Sequence, residues 1–293
     1  MLWRLRWAVK AVTPPILVLA AKWALGLWSR EHQGQTPVGG LSLPETPAPE
    51  WEYVPEGWAR PVKGWDVEAV ADAYARKWPD YVDAVQPPKP LGVHHETAEV
   101  TTGDPGAHNM LVSFAYALAL AARGRDRISV LDWGGGLGHY YALGRSVLPD
   151  VELEYHVKET PAVCAEGRET LPEVAFYEDD SCLARRYDLV LASSSLQFAE
   201  DWRGLIGQLA HAAGRHLYVA RVPVAIEADS FVVLQRANAY GYATEYLGWV
   251  LNRRDLLDAT PLALAREFLL DARFSAAGAP EDPVEHRSFL FNR

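Results

Sequence analysis

The chain has 293 residues, 49% of them hydrophobic and 11% aromatic, enough to bury a substantial core, which excludes a disordered or fibrous protein. Its 38 acidic against 28 basic residues give a formal net charge of −10, which argues against a nonspecific nucleic-acid binder, whose phosphate contacts need a basic surface. Two cysteines, Cys164 and Cys182, are too few and too unpatterned for a disulfide framework or a zinc site, so a reducing, cytoplasmic compartment is the default and no metal is expected.

Residues 1–32 differ in character from the rest. Arg4, Arg6, Lys10 and Lys22 mix with Trp3, Trp7, Trp23 and Trp28 around an apolar run from Ile16 to Ala21. That run is too short for a bilayer, which needs about 20 apolar residues. No small-x-small cleavage site follows it, so a retained helical segment is expected rather than a removed signal peptide. Two readings stand for residues 1–30: a peripheral anchor at the inner face of the cytoplasmic membrane, or a helix docked on the protein's own surface.

Residues 33–61 are rich in proline and glycine and form a linker or an extended arm. Trp51, Tyr53 and Trp58 favour an arm in the second half, because aromatic rings in a free linker would bury nothing. Residues 62–123 read as a helical cap, with one helix from Asp66 to Trp78 and another from Asn109 to Arg123 whose run LVSFAYALALAA is apolar on most of its surface. Just before it, His108 and Asn109 either face a site or serve as an exposed histidine and a capping asparagine.

Residues 124–293 alternate strands with helices, the pattern of a Rossmann-like α/β fold: a doubly wound, mostly parallel sheet covered on both faces. Ile128–Leu131 is the first strand and Asp132 closes it. Gly134, Gly136 and Gly138 follow as an acid-x-Gly-x-Gly-x-Gly turn, whose missing Cβ atoms let a nucleotide-like cofactor approach the backbone ahead of the next helix. The dinucleotide fingerprint Gly-x-Gly-x-x-Gly would want its third glycine where His139 stands, which disfavours a nicotinamide cofactor. A carboxylate before the glycines would crowd a pyrophosphate but suits a sulfonium and an ammonium. The second strand, Glu152–Val157, ends in Lys158 and Glu159 about 20 residues past the glycines, where such folds hold ribose hydroxyls. Glu159 is the chosen acid, with Lys158 as the competing register. Further strands are read at Val174–Tyr177, at the start of Tyr187–Phe198 and at His216–Ala220, the last preceded by a helix over Trp202–Ala213. Leu262–Leu270 and Arg287–Phe291 close the chain, the final one as an antiparallel edge.

The loop LDWGGGLGHYY resembles motif I of the class I S-adenosylmethionine-dependent methyltransferases, and ETPAVC from Glu159 resembles the Asp-Leu-Pro-x-Val segment of small-molecule O-methyltransferases. Together with YDLVLASSSLQF, SFVVLQR, GWVLNR and a closing FLF, these motifs resemble a bacterial family of methyltransferases found among polysaccharide or lipopolysaccharide biosynthesis genes, over roughly Trp51 to Phe291. The resemblance implies an S-adenosylmethionine cofactor and O-methylation of a saccharide or lipid-linked glycan precursor. It also implies adenine recognition near Asp179 and Asp180, and a transfer cleft lined by Ser193, Ser194 and Gln197.

An activated methyl group needs mainly alignment, with a base for a hydroxyl acceptor. His139, beside the glycines, is the first candidate and His108 the second, with His94, His95 and Glu96 as a third group. Arg221 at the end of the fifth strand, with Tyr242 and Glu245 from an aromatic stretch, are candidates for acceptor binding, whereas Trp249 suits core packing under a helical lid. Two other function classes remain, a NAD(P)-dependent oxidoreductase and a noncatalytic binding protein on the methyltransferase fold.

Overall fold

The computed structural model describes residues 48–293; the expectations for residues 1–32 and for the first half of the arm lie outside them. The chain enters as β1 (Trp51–Tyr53), then runs through α1 (Glu68–Ala84) and α2 (Pro105–Ala122) before the sheet proper begins. α1 does not stop ahead of its proline but continues through Pro79, because Tyr81 and Ala84 in its last turns are core residues. α2 starts four residues earlier than Asn109: the Asp104 carboxylate accepts the Ala107 N–H at 2.6 Å and Pro105 takes the first helical position, so Asp104 and not Asn109 is the cap.

Five parallel strands follow: β2 (Arg127–Trp133), β3 (Glu152–Lys158), β4 (Ala175–Tyr177), β5 (Tyr187–Ser193) and β6 (Ala213–Ala225). Their spatial order is β4-β3-β2-β5-β6, so the strand order reverses beside β2, and the crevice at the carboxyl ends there is where such sheets bind ligands. The crossover helices α3 (His139–Val147), α4 (Pro161–Thr170) and α5 (Trp202–Ala212) cover both faces. Buried on both sides, the strands read as nearly unbroken apolar runs whose successive residues enter opposite layers: Val130, Leu189 and Leu191 pack with the α1–α3 side, while Leu131, Val190 and Ala192 pack with Trp202 and Ile206 of α5.

After β6 come β7 (Phe231–Arg236), β8 (Glu245–Asn252), a short α6 (Arg253–Ala259), β9 (Ala263–Phe274) and β10 (Val284–Asn292). The expected helical lid is instead an antiparallel β7–β8 pair, extended by β1 against β7; its β-branched and aromatic residues fit a pleated surface better than a helix. β1 is pinned by Arg236, which donates to the Pro49 carbonyl at 2.7 Å and to Glu52 at 2.6 Å, so the second half of the arm is part of the sheet. The antiparallel side of the main sheet is β10 on β6, with β9 outside it.

Between β6 and β10 the register slips: Arg287 pairs Val222 and Phe289 pairs Val219, which leaves one extra residue in β6. Arg221 takes up the excess with φ of 58°, a left-handed conformation unusual for a side chain of its size, and its N–H donates to the buried Ser288 hydroxyl at 3.2 Å. Such bulges bend a strand and re-aim a side chain.

Candidate active site

Two adjoining cavities open at the carboxyl ends of the parallel strands. The smaller, about 280 Å³, is built on the glycine loop between β2 and α3. Gly134 has φ of 72° and its N–H donates to the Lys158 carbonyl at 2.8 Å; a Cβ there would stand 2.5 Å from the Ser195 Cβ. Ser195 donates to the Trp133 carbonyl at 2.6 Å, so the loops after β2 and β5 are tied together with no room for a side chain between them. Gly136 and Gly138 also have positive φ, 57° and 90°.

Glu159 stands at the end of β3 and lines this cavity. One carboxylate oxygen accepts the Thr160 N–H at 2.7 Å and the other the Gly136 N–H at 3.2 Å. Burial pushes its pKa up, against the pull of those two N–H groups. A carboxylate has about four lone-pair positions, so two remain for a diol. Lys158, the competing register, lies beside it with its ammonium 5.1 Å from the Trp133 ring centre.

Asp132 is not in the cavity but beneath it. It is fully buried, takes the Tyr155 hydroxyl at 2.9 Å on one oxygen, and has no partner on the other. Burial raises its pKa to about 7, although the Tyr155 hydrogen bond opposes this. Its carboxyl lies 2.6 Å from where a Gly135 Cβ would be, so it acts as the floor of the loop. Asp179 and Asp180 are exposed and line neither cavity; the Asp179 carboxylate accepts the Ser181 N–H at 3.0 Å and caps a short 3₁₀ turn. Ser193 is buried against the Tyr140 hydroxyl at 2.8 Å, whereas Ser194, with φ of 51°, lines both cavities and Ser195 lines the smaller.

The larger cavity, about 410 Å³, shares Trp65, Tyr74, Ser194 and Phe198 with the smaller one. Its wall is aromatic: Trp65 stacks on Tyr246 with ring centres 3.9 Å apart and meets Phe198 edge-on at 5.0 Å. The β6 bulge turns Arg221 into it, where the guanidinium pairs with Glu96. Burial is the largest single influence and works against the Glu96 charge, but Arg221, His94 and His95 together outweigh it and hold that carboxyl well below its ordinary range. Gln197 donates to the Ser194 hydroxyl at 3.1 Å and leaves its carbonyl oxygen unpaired. Among the described residues the Tyr242 hydroxyl, the Trp65 N–H and the His286 Nδ1 are also buried without a partner, and all four groups belong to residues lining this cavity.

Arg221, Gln197 and Tyr242 are therefore brought together, and Glu245 is not. The Glu245 carbonyl accepts the Gly64 N–H at 3.0 Å, which fastens the Trp65 segment to β8, and its side chain lies outside the cavity. Trp249 lines the cavity from β8 rather than serving only as packing. The histidines expected as bases need correction. His139 follows Gly138, but the helix start turns its ring inward, stacked on His95 at 4.2 Å and ringed by Tyr74, Trp78 and Tyr81. Burial drives its imidazolium pKa well down, so it is a neutral core group. His108 is exposed on the first turn of α2 and lines neither cavity, whereas His94 and Glu96 of the third group do line the larger one. Trp65, Phe198 and His286 had no local signal as site residues, and Tyr74, four residues from Trp78 on one helix, suggested ordinary packing rather than a ligand platform.

No family model matches the sequence, and no curated protein matches it. Among solved structures, the chain is similar to a 1,6-didemethyltoxoflavin-N1-methyltransferase from Burkholderia thailandensis with bound S-adenosylhomocysteine, at 11% identity over 63% of this chain and 78% of that one, TM-score 0.43. A magnesium protoporphyrin IX methyltransferase from Synechocystis, also with bound S-adenosylhomocysteine, is 13% identical over 76% of this chain and 98% of that one, TM-score 0.42. An amino pentose methyltransferase from Micromonospora echinaspora with bound S-adenosylmethionine is 16% identical over 64% and 91%, TM-score 0.40. At such identities and scores, substrate and chemistry rest on this chain's own geometry.

Proposed function

We propose that this chain is an S-adenosylmethionine-dependent methyltransferase that methylates a hydroxyl group of a saccharide, in free or lipid-linked form, during synthesis of a cell-surface polysaccharide. The observation that carries this reading is the pair of cavities with a common wall: a side-chain-free glycine loop with an acid at the end of the next strand in one, and an aromatic chamber with unpaired polar groups in the other. The free lone pairs of Glu159 fit vicinal ribose hydroxyls, and the missing Cβ atoms at Gly134 and Gly136 let the loop close against Ser195 and His139, which leaves the Gly134 backbone as part of the cavity wall. When bound, S-adenosylmethionine supplies a methyl group already activated on sulfur.

The protein's share is then to align the acceptor and exclude water. Trp65, Tyr74, Ser194 and Phe198 form the wall across which the methyl group passes. The Trp65 N–H, the Tyr242 hydroxyl and the Gln197 carbonyl offer two donors and an acceptor, each without a partner among the described residues. Buried polar groups of that kind ask for a ligand with several hydroxyls, and aromatic faces suit a sugar ring. The lipid-linked form is supported by the tryptophan-rich basic composition of residues 1–30.

Calorimetry with S-adenosylhomocysteine and NAD, followed by labelled S-adenosylmethionine with membrane and glycan fractions of the host, tests the reading. S-adenosylhomocysteine should bind and label should enter a saccharide. Tight NAD binding without S-adenosylhomocysteine, or transfer of label to protein alone, would overturn it.

A further inference from the structure

In the larger cavity an imidazole stands beside a carboxylate that is itself held in place. His94 Nε2 lies 3.8 Å from Glu96 Oε2, and Glu96 is paired with Arg221 from the β6 bulge. The segment carrying them is fixed from both ends. His94 exchanges both main-chain hydrogen bonds with Thr101, each 2.9 Å. The buried Lys77 ammonium donates to the carbonyls of His95 and Thr97, at 2.8 and 3.1 Å. A base oriented by a third group is the arrangement that activates a weak nucleophile.

The other ionisable groups of the cavity are less suited. The Asp104 carboxylate is engaged in capping α2. Among the described residues His286 has no carboxylate partner, and burial lowers its pKa to about 4, with Arg221 adding to the effect. Burial pushes the Tyr242 and Tyr246 hydroxyls upward, so they hold their protons. His95 and His139 are stacked on each other in the core.

We propose that His94 is the general base of the transfer and that Glu96, anchored by Arg221, is the residue that positions it; this rests on the methyl-transfer reading above. Nε2 faces Glu96, which leaves Nδ1 to take the proton. The acceptor oxygen forms its bond to the methyl carbon as the carbon–sulfur bond breaks, the electron pair of that bond stays on sulfur to give a neutral thioether, and the hydroxyl proton passes to His94. The imidazolium so formed lies next to the Glu96 carboxylate, which stays charged because Arg221 stabilises it.

The test uses the full chain, labelled S-adenosylmethionine and the host saccharide fraction that accepts label from the wild type. His94→Ala should lower turnover about 10²-fold while S-adenosylhomocysteine affinity stays unchanged, since the His94 main-chain pairing with Thr101 survives the substitution. The His94 side chain is 31% exposed, so added imidazole should reach the space and restore part of the rate. Glu96→Gln should reduce turnover less, and imidazole should not restore it. Undiminished turnover in His94→Ala, or a loss that imidazole does not restore, overturns the base alone and leaves the methyl-transfer reading standing. A wild type that fails to bind S-adenosylhomocysteine, or binds it and transfers no label, overturns both.

Discussion

The two cavities share four side chains yet are assembled in opposite ways. The smaller is built mainly on short pieces at the ends of β2, β3 and β5, closed by Trp65, Val70 and Tyr74, and the loop that floors it depends on atoms that are absent: the Cβ atoms of Gly134, Gly135 and Gly136. The larger draws on α1, the segment before α2, the β6 bulge, the β7–β8 pair and the two last strands, and its shape depends on side chains that are present. A backbone cradle tolerates no added atom, whereas a side-chain chamber tolerates loss of one contact with a graded change in affinity. Substitutions in the first should therefore act on the donor alone and steeply, and those in the second on the acceptor alone and mildly.

The steepest test is Gly134→Val. Its Cβ would meet the Ser195 Cβ at 2.5 Å, at a φ of 72° that β-branched residues avoid. S-adenosylhomocysteine affinity should fall at least about 10²-fold, or about 3 kcal/mol, by calorimetry. Adding Ser195→Gly should recover part of the loss, because it removes the clash and leaves the backbone strain. An affinity unchanged by Gly134→Val would mean the donor sits elsewhere.

The next effect is on stability and concerns the floor of the same loop. Asp132 has a pKa of about 7 in the folded protein against an ordinary 3.8. Between those values the unfolded chain has released the proton and the folded one retains it, so the stability this group contributes is present at low pH and is lost as pH rises through 7. Asp132→Asn should resemble the wild type near pH 4 and exceed it by a gap that opens toward pH 8, on the order of 4 kcal/mol. Urea unfolding at the two pH values measures it; a gap that closes as pH rises would mean that Asp132 is stabilised as the carboxylate.

The same contrast explains what could be read from the chain before its structure. Ile128–Leu131 and the strand opening at Tyr187 are legible because strands buried on both faces appear as apolar runs bounded by glycine, acid or small residues, and because the glycine loop and Glu159 follow their strands directly. His139 misled because spacing puts it next to the loop, whereas the rotation that carries its ring under Tyr74 and Tyr81 depends on α1, far away in sequence. Arg221 was found through its strand end, but nothing in VARVPV announces a left-handed residue; the bulge arises from pairing with β10. Trp65 enters the site only because Gly64 is tied to Thr244 and Glu245 of the β7–β8 region, a long-range contact without a local pattern.

A smaller effect separates the donor's recognition from its accommodation. Glu159→Gln keeps the size of the side chain but exchanges one acceptor oxygen for an amide donor facing the Thr160 or Gly136 N–H. A hydrogen bond to a charged group is worth about 1.5–3 kcal/mol. S-adenosylhomocysteine affinity should thus drop roughly 10- to 100-fold, with acceptor KM unchanged at saturating donor. A lowered melting midpoint alongside the lost affinity would point to a collapsed loop rather than a lost diol contact.

The mildest prediction probes the chamber and reverses the usual relation between stability and binding. Among the described residues the buried Tyr242 hydroxyl has no hydrogen-bond partner, so Tyr242→Phe removes an unmet polar group while keeping the ring that packs edge-on against Tyr74 with centres 5.8 Å apart. Deleting such a group relieves a desolvation penalty, and thermal stability should hold or rise. The acceptor loses one partner, so its KM should increase about fivefold, roughly 1 kcal/mol, with S-adenosylhomocysteine affinity unchanged. A lower melting midpoint together with an unchanged KM would mean that the hydroxyl serves its ring neighbour Tyr74 instead, and would remove it from the set of groups that wait for a polyhydroxylated acceptor.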